Sequence, residues 1–302
     1  MNKTALKGYL MILLSAIGFG SYGVWSRFIG EEFGVFFQGW VRSALVLLFL
    51  IPLAVVTNSF KPVKKMDKKW LLAPVIFGIF TQAPLYYAFN NIDIGTATLI
   101  FYATYVITSY VVGKVAFGEK IGIEKLISLV LAFVGLVLIF GLSFSKFSLL
   151  ALILAAVNGI ASGGEVATTK KSTEKLSSLQ VSIYVWLGIL LTHLPISILS
   201  GERQVQFVLN PTWFAMLAFA GVGLAAFWLV IEGYKYVDAS IGGLIGLLEI
   251  ISGVVFGIFL FHEKLTPSVV LGGVLILLSA MLPDLSNLIR QSGKRKLEAS
   301  PL

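Results

Sequence analysis

Long apolar runs separated by short polar segments fill almost the whole of this chain. A helix needs about 20 apolar residues to cross the hydrocarbon of a bilayer, and ten runs reach or approach that length. In chain order they are Tyr9–Ile29, Val35–Val56, Trp70–Phe89, Ile94–Phe117, Ile121–Phe140, Leu149–Thr169, Val181–Ser200, Thr212–Tyr236, Ala239–Phe261 and Pro267–Met281. The pattern predicts an all-α membrane protein of ten transmembrane helices. Because the connections are short, each helix is expected to run antiparallel to the next.

Composition agrees with a membrane location. Apolar residues make up 57% of the chain and charged residues 13%, whereas a soluble domain carries about a quarter charged residues. Too little polar surface is available to cover a water-soluble globule. The run from Tyr9 to Ile29 has no small-residue cleavage site after it, so it is expected to be an uncleaved first span.

The basic residues predict an orientation rather than a nucleic-acid partner. The net charge is +8, and Lys and Arg lie mostly in the short loops. With a cytoplasmic N-terminus, 18 of the 23 basic residues fall on the cytoplasmic side, four fall outside, and Arg42 lies within a span. An excess of Lys and Arg marks cytoplasmic loops. Both termini of this plasma-membrane protein are therefore expected to be cytoplasmic.

Two matching segments indicate an internal duplication. Phe117-Gly118-Glu119-Lys120-Ile121 and Phe261-His262-Glu263-Lys264-Leu265 lie 144 positions apart, each after an apolar run that contains glycine. The sequence predicts two five-helix repeats, residues 1–146 and 147–286, followed by a basic cytoplasmic tail, 287–302, that is disordered at its end. Five spans are an odd number, so the second repeat is inverted, as in many transporters. Similarity through shared apolar composition is the alternative, and it explains the two matching endings less well.

Acidic residues within apolar runs are the first candidates for function. Charge inside a bilayer is costly, so such groups usually face a cavity or a partner. Glu249 lies about ten residues into its span, near the midplane, and could bind a cationic substrate group, relay protons or pair with a neighbouring helix. Glu165 is expected to line the mouth of a cavity or to extend toward the interface, and Glu232 is expected to be interfacial.

Other polar and aromatic residues have both a functional and a structural interpretation. Arg42 could bind a substrate anion or a carboxylate, or only position helices. His193, Asn158 and Gln82 more often make bonds between helices than line a pore.

Tyr102 and Tyr105 share a helix face and could hold an organic cation by cation–π attraction, or could simply be packed rings. The glycines at 242, 243 and 246 leave space beside Glu249, as a cavity wall would.

Several motifs are absent from the sequence. It has no cysteine, no phosphate-binding loop, no His-Glu-x-x-His and no nucleophile elbow. No ATP-driven step, metal or cofactor is therefore predicted, and an enzyme is a poor interpretation.

The motifs together resemble the drug/metabolite transporter superfamily, in its ten-span branch with two EamA-type repeats. Phe19-Gly20-Ser21 with Arg27 is similar to the family's Trp-Gly-Ser…Lys pattern, and Arg42 matches a basic residue common in the second span. Gly118-Glu119-Lys120 matches the Gly-Glu-Lys after the fourth span, and His262-Glu263-Lys264 matches its copy. The family often has proline thirteen residues before each Glu, where this chain has Val106 and Ile250. Glycine is the expected substitute at the helix kinks.

The resemblance implies an exporter of small metabolites such as amino acids, with a cavity among the first, third, fourth, sixth, eighth and ninth spans. The substrate-binding residues that it implies are Trp25, Tyr86, Tyr102, Tyr105, Asn158, Glu165, Trp228 and Glu249. Glu249 is also the candidate for proton coupling. The expected partners are a small-molecule substrate, the lipid bilayer and a coupling proton, with no cofactor and no nucleic acid. The rival hypotheses are an importer of an organic cation such as choline and an intramembrane enzyme acting on lipid-linked substrates.

Overall fold

The computed structural model describes residues 3–29, 32–64, 68–92, 94–141, 148–262 and 264–298, and its regular structure there is entirely helical. The helices are α1 (Lys3–Gly20), α2 (Tyr22–Ile29), α3 (Val35–Val56), α4 (Lys68–Ile79), α5 (Ala83–Asn91), α6 (Ile94–Phe117), α7 (Ile123–Phe140), α8 (Leu149–Thr173), α9 (Ser178–Leu199), α10 (Pro211–Tyr234), α11 (Ala239–Gly246), α12 (Leu248–Phe261) and α13 (Pro267–Glu298). The prediction of an all-α protein is confirmed.

Eight helical stretches in the described part of the chain are long and apolar enough to cross a membrane. They are Ala5–Trp25, Val35–Val56, Thr96–Phe117, Ile123–Phe140, Leu149–Thr173, Ser178–Leu199, Pro211–Tyr234 and Ala239–Phe261, with a shorter apolar helix at Pro267–Pro283. The predicted run Trp70–Phe89 is divided between α4 and α5, and neither piece is long enough alone. Ten spans therefore stay a prediction.

The end of the chain differs from the sequence-based expectation. The last span was expected to end near Met281 and to be followed by a polar, basic tail, but α13 continues to Glu298. The segment after Pro283 is rich in Leu, Arg, Gln and Lys, which favour helix. The helix therefore extends beyond the predicted span, while the very end of the tail, residues 299–302, lies outside the described part of the chain.

Three of the predicted runs are interrupted helices. The breaks lie at Ser21 between α1 and α2, at residues 80–82 between α4 and α5, and at Leu247 between α11 and α12. In the first repeat the family often has proline at the position of Val106. The helix α6 continues through Val106 without a break. The second repeat does break near the corresponding place, directly after Gly246. The break thus lies beside a glycine and without a proline, and Leu247 itself keeps a right-handed helical conformation.

Helices from the two halves of the chain pack against each other. The main pairs are α3 with α9, α6 with α8, α7 with α13, and α1 with α10 and α12. The α6–α8 crossing is close because side chains are missing at Gly159 and Gly163, where a Cβ would collide with the carbonyl oxygens of Phe101 and Tyr105. Small residues four apart allow this approach, as expected for helices packed in a membrane.

Two pairs of helix ends share the same backbone conformation. Gly118 and His262 both have positive φ, at 65° and 55°, and each follows the last residue of its helix. Asn58 and Gly201 also have positive φ, at 50° and 73°, after α3 and α9. A left-handed residue is a common helix terminator. Matched ends at matching spacings are what a duplicated unit produces, and the inversion of the two halves stays a prediction.

Candidate functional site

Four of the predicted site residues converge inside the bundle. Tyr102 and Tyr105 lie one turn apart on α6, Glu165 lies on α8, and Glu249 lies in the first turn of α12. The Tyr102 hydroxyl faces the Glu249 carboxylate. Both carboxylates lie within electrostatic range of the Tyr105 hydroxyl. The i, i+3 spacing of the tyrosines puts both rings on the face of α6 that meets the acidic groups.

The helix break at Leu247 positions Glu249. It makes Glu249 the second residue of α12, where the free amides of a helix start favour negative charge. The neighbouring helix α1 approaches closely because Gly20 has no side chain, and a Cβ there would collide with the Glu249 carbonyl oxygen and the Cβ of Ser252. Glycine at this position therefore brings the end of α1 against the backbone of α12 at Glu249.

Glu165 is buried without a direct partner. Its relative exposure is 6%, and no hydrogen bond or ion pair reaches its carboxylate from the residues that the structure describes. Gly78 on α4 faces it, and a Cβ there would lie 3.1 Å from Oε1. The same Cβ would lie 2.8 Å from Cγ1 of Val185, so the absence of a side chain at Gly78 lets α4 pack closely against Glu165 and α9.

Arg42 is a second buried charge, and it is surrounded by aromatic rings. It is 5% exposed, and its guanidinium carbon lies 4.4 Å from the ring centre of Phe219 and 5.5 Å from those of Tyr22 and Trp186. The guanidinium is within electrostatic range of Glu165. Sequence reasoning recognised Arg42 but not these rings, since they come from α2, α9 and α10.

Asn158 and Trp25 lie at helix breaks. The Asn158 amide donates a hydrogen bond to the carbonyl of Phe80 at 3.1 Å, in the α4–α5 break, while its Oδ1 is buried without a partner in the described structure. The Trp25 indole donates to the Ser21 hydroxyl at 3.0 Å, across the α1–α2 break. Both residues are placed where a substrate site needs an irregular backbone.

Two other predicted site residues, Tyr86 and Trp228, are treated separately from this cluster. The Tyr86 side chain lies outside the described part of the chain. Trp228 is 38% exposed and lines a surface cleft of about 370 Å³ with Lys61, Glu232 and Lys235. Glu232 accepts hydrogen bonds there from Ser178 and, at 2.7 Å, from Lys235. This position suits the interfacial location expected for Glu232, and we leave Trp228 out of the site proposed below.

The glycines of α11 do not form a cavity wall. The ring of Tyr234 occupies the space beside Gly242, Ser109 occupies that beside Gly243, and the Tyr105 ring occupies that beside Gly246. The expectation of open space is wrong because larger side chains of α6 and α10 fill it. The glycines instead let Tyr105 reach the neighbourhood of Glu249.

His193 and Gln82 meet across Gly39. A Cβ at Gly39 would lie 2.5 Å from Cδ2 of His193 and 3.4 Å from Oε1 of Gln82. The His193 Nδ1 bonds to the carbonyl of Ile189, in its own helix, at 3.1 Å. His193 was expected to bond to a neighbouring helix, but its Nδ1 bonds within its own helix.

A second polar cluster lies where α6, α8 and α10 end and α11 begins. The Glu119 side chain is 6% exposed, and Lys125 and Lys170 approach its carboxylate at 3.7 and 3.9 Å. It accepts hydrogen bonds from the amides of Ala239 and Ser240 at 2.6 and 3.2 Å. Lys125 also donates to the Ser240 hydroxyl at 2.7 Å. The Gly-Glu-Lys ending thus joins the two halves of the chain.

Apolar helices that enclose buried charges and tyrosines at mid-depth define a multi-pass membrane protein with a polar interior site. The EamA-like transporter family matches residues 6–141 and again residues 149–282. The chain therefore belongs to this family, whose members are membrane transporters of small molecules.

Curated relatives have the same description over nearly their full length. An uncharacterized transporter of Helicobacter pylori strain J99 is 26% identical over 306 residues, which cover 97% of this chain and all of that protein. One of Archaeoglobus fulgidus is 26% identical over 278 residues, covering 91% and 95%. A solved crystal structure of a protein superimposes with a TM-score of 0.75 at 15% identity, covering 92% of this chain and 97% of that one. That likeness establishes the fold alone.

Proposed function

We propose that this protein is a secondary transporter that exports small metabolites, amino acids or compounds like them, across the plasma membrane by alternating access. The observation that carries the proposal is the convergence of Tyr102, Tyr105, Glu165 and Glu249 from three helices inside the apolar bundle. Buried ionisable groups in a membrane mark substrate and ion pathways. The substrate-binding residues of the proposal are these four with Trp25 and Asn158.

Alternating access needs contacts that close one face and can open. The Glu119 cluster is such a contact, since it joins the end of α6 in the first half to α8 and α11 in the second. Both termini are proposed to be cytoplasmic, which puts this cluster on the cytoplasmic face. The matched positive-φ residues Gly118 and His262 support an equivalent contact around Glu263 on the external face, in an inverted ten-span arrangement.

Glu249 is the proposed coupling residue. A buried carboxylate can carry a proton when no substrate is bound and release it when the positive charge of a bound substrate lies nearby in the same site. The facing hydroxyl of Tyr102 provides a hydrogen-bonding partner for either form. Export driven by inward proton flow would follow from this competition.

Import of an organic cation is the second candidate. Carboxylates beside the rings of Tyr102 and Tyr105 suit a quaternary ammonium group. The buried positive charge of Arg42 opposes it, because a cation without an acidic group would meet a like charge there. We therefore favour a substrate that carries an anionic group.

Flux measurements test both proposals. The purified protein is reconstituted in proteoliposomes, and the efflux and uptake of L-amino acids and of choline are followed with and without a pH gradient. Amino-acid efflux stimulated by an opposing proton gradient is the expected result. If no solute moves under any gradient, the transporter proposal fails, and uptake of choline alone would support the second candidate instead.

A further inference from the structure

Arg42 is a buried cation that forms no direct ion pair with the residues that the structure describes. It lies on α3, seven residues after the helix start at Val35, and only 5% of it is exposed. Its Nε is buried without a hydrogen-bond partner, and no ion pair or hydrogen bond reaches the guanidinium from the described residues. A charged group in this setting normally has a counter-ion or a ligand.

The rings around Arg42 stabilise its charge but leave its donors unused. The faces of Tyr22, Trp186 and Phe219 attract the guanidinium. A guanidinium has five N–H donors in a planar fork, and ring faces supply no oxygen to accept from them. The Trp186 indole nitrogen is itself a buried donor without a partner. Among the described residues, these buried donors beside the rings therefore have no acceptor within hydrogen-bonding distance.

A carboxylate complements this arrangement. It supplies two oxygens in the geometry that a guanidinium binds through two parallel hydrogen bonds, and its charge neutralises that of Arg42. A substrate hydroxyl or carbonyl would satisfy one donor but would leave the charge uncompensated. The missing acceptor is thus best supplied by an acid group.

Glu165 adds the opposite charge within reach of the same pocket. It is within electrostatic range of Arg42, yet the two side chains form no direct ion pair. Two buried, unpaired charges of opposite sign are complementary to a molecule that carries both charges.

We propose that Arg42 is the specificity-determining residue that binds the carboxylate of the substrate, while Glu165 faces its ammonium group. This assignment rests on the proposed transport function and restricts it to substrates with a free acid group. It excludes esters, amides and amines that share the same side chain, and it excludes choline.

Binding measurements on the purified full-length protein test this assignment without requiring transport. The twenty L-amino acids are ranked by isothermal titration in lipid nanodiscs, and the tightest ligand is compared with its methyl ester and its decarboxylated amine. We expect the ester and the amine to bind at least about tenfold more weakly, which is the effect of losing one charge-assisted hydrogen bond. Equal affinity for acid and ester would overturn the role of Arg42.

Variants locate the effect at Arg42. Arg42→Lys keeps the charge but not the planar fork, and Arg42→Gln removes the charge. In both variants the ratio of acid to ester affinity should fall toward one. Lys69→Gln is the matched control, because Lys69 also lies over a ring, that of Trp70 at 5.6 Å, outside the site. If the Arg42 variants do not fold, the ratio of acid to ester affinity in the wild-type protein still tests whether the site requires a free carboxylate.

The outcomes separate the two levels of the proposal. Amino-acid binding and efflux without discrimination against the ester would remove the Arg42 assignment and keep the transporter. A wild-type protein that binds acid over ester but moves no solute would keep the assignment and remove transport. A protein that binds none of the twenty amino acids would overturn the zwitterion site.

Discussion

The carboxylate of Glu119 accepts a hydrogen bond from the Ser240 hydroxyl at 2.7 Å and a second from the Ser240 amide at 3.2 Å. Glu119 follows α6 and Ser240 lies in the first turn of α11, 121 positions later in the chain. An acidic side chain outside the helix thus satisfies free amides at a helix start. This contact joins two halves that must separate at this face if the protein works by alternating access.

Replacing Glu119 by Gln should weaken the closure of this face. The substitution removes the carboxylate that lies 3.7 and 3.9 Å from Lys125 and Lys170. Lys125 keeps Asp238 at 3.1 Å, so we expect a cost below the about 3–5 kcal/mol of leaving a buried charge uncompensated. The chain has no cysteine, so Ser109→Cys provides a single reporter at a fully buried position of α6. We expect Glu119→Gln to accelerate labelling of this cysteine by a thiol reagent.

The control for Glu119 is an exposed acidic residue. Glu174 pairs with Lys171 at 2.9 Å, and its side chain is 46% exposed. Such a surface pair contributes about 0–1 kcal/mol, so Glu174→Gln should leave labelling unchanged. Equal labelling rates in the Glu119 and Glu174 variants would show that the Glu119 contact does not hold the face closed.

The counterpart residue Glu263 should act in the opposite sense. It lies 144 positions after Glu119 in the matching segment, and an inverted repeat would place it on the other face. If the two contacts close opposite faces, Glu263→Gln should slow labelling of the cysteine at position 109 from the cytoplasmic side, while Glu119→Gln speeds it. Inside-out vesicles allow both rates to be measured. Changes in the same direction would contradict the inverted arrangement.

Glu249→Gln should remove the response of transport to pH. Gln resembles the protonated acid in shape but cannot gain or lose a proton. We expect efflux from proteoliposomes to lose its dependence on the pH gradient, whereas Glu174→Gln keeps it. Tyr102→Phe, which removes the hydroxyl that faces Glu249, should alter the pH profile without abolishing it. An unchanged profile in Glu249→Gln would assign Glu249 to packing.

Gly159→Ala should destabilise the α6–α8 contact. The new methyl group would meet the carbonyl of Phe101 and the hydroxyl of Thr104, and overpacking costs about 1–3 kcal/mol. Gly221 on α10 is exposed and has no neighbouring atom within 4 Å of its Cβ position, so Gly221→Ala should be neutral or stabilising. Thermal unfolding in one detergent compares the two. Similar melting temperatures would contradict the close crossing.

Local signals account for most of the correct predictions. The length and apolarity of a run depend on consecutive residues, and eight of the predicted runs correspond to long apolar helices. The division of Trp70–Phe89 also had a local signal, since Pro84 lies in the first turn of α5, where proline is favoured. A prediction that uses hydropathy alone misses this division, because hydropathy does not include the helix-starting preference of proline.

The site was predictable only in part. Tyr102 and Tyr105 share a face through their spacing along one helix, and Glu249 stands out as a charge in an apolar run. Trp228 and Trp186 look alike in sequence, because both lie in helices that are apolar on every side. The rotation of each helix places Trp228 in a surface cleft and Trp186 beside Arg42.

The sequence by itself determined the helices, the membrane environment and the family, because these follow from the order and chemistry of neighbouring residues. Only the tertiary structure decided which charges are paired. It gives Glu119 two lysines and two helix amides, and it leaves Arg42 and Glu165 without direct partners in the described chain. The physical reason is that pairing depends on side chains more than a hundred positions apart, brought together by helix packing.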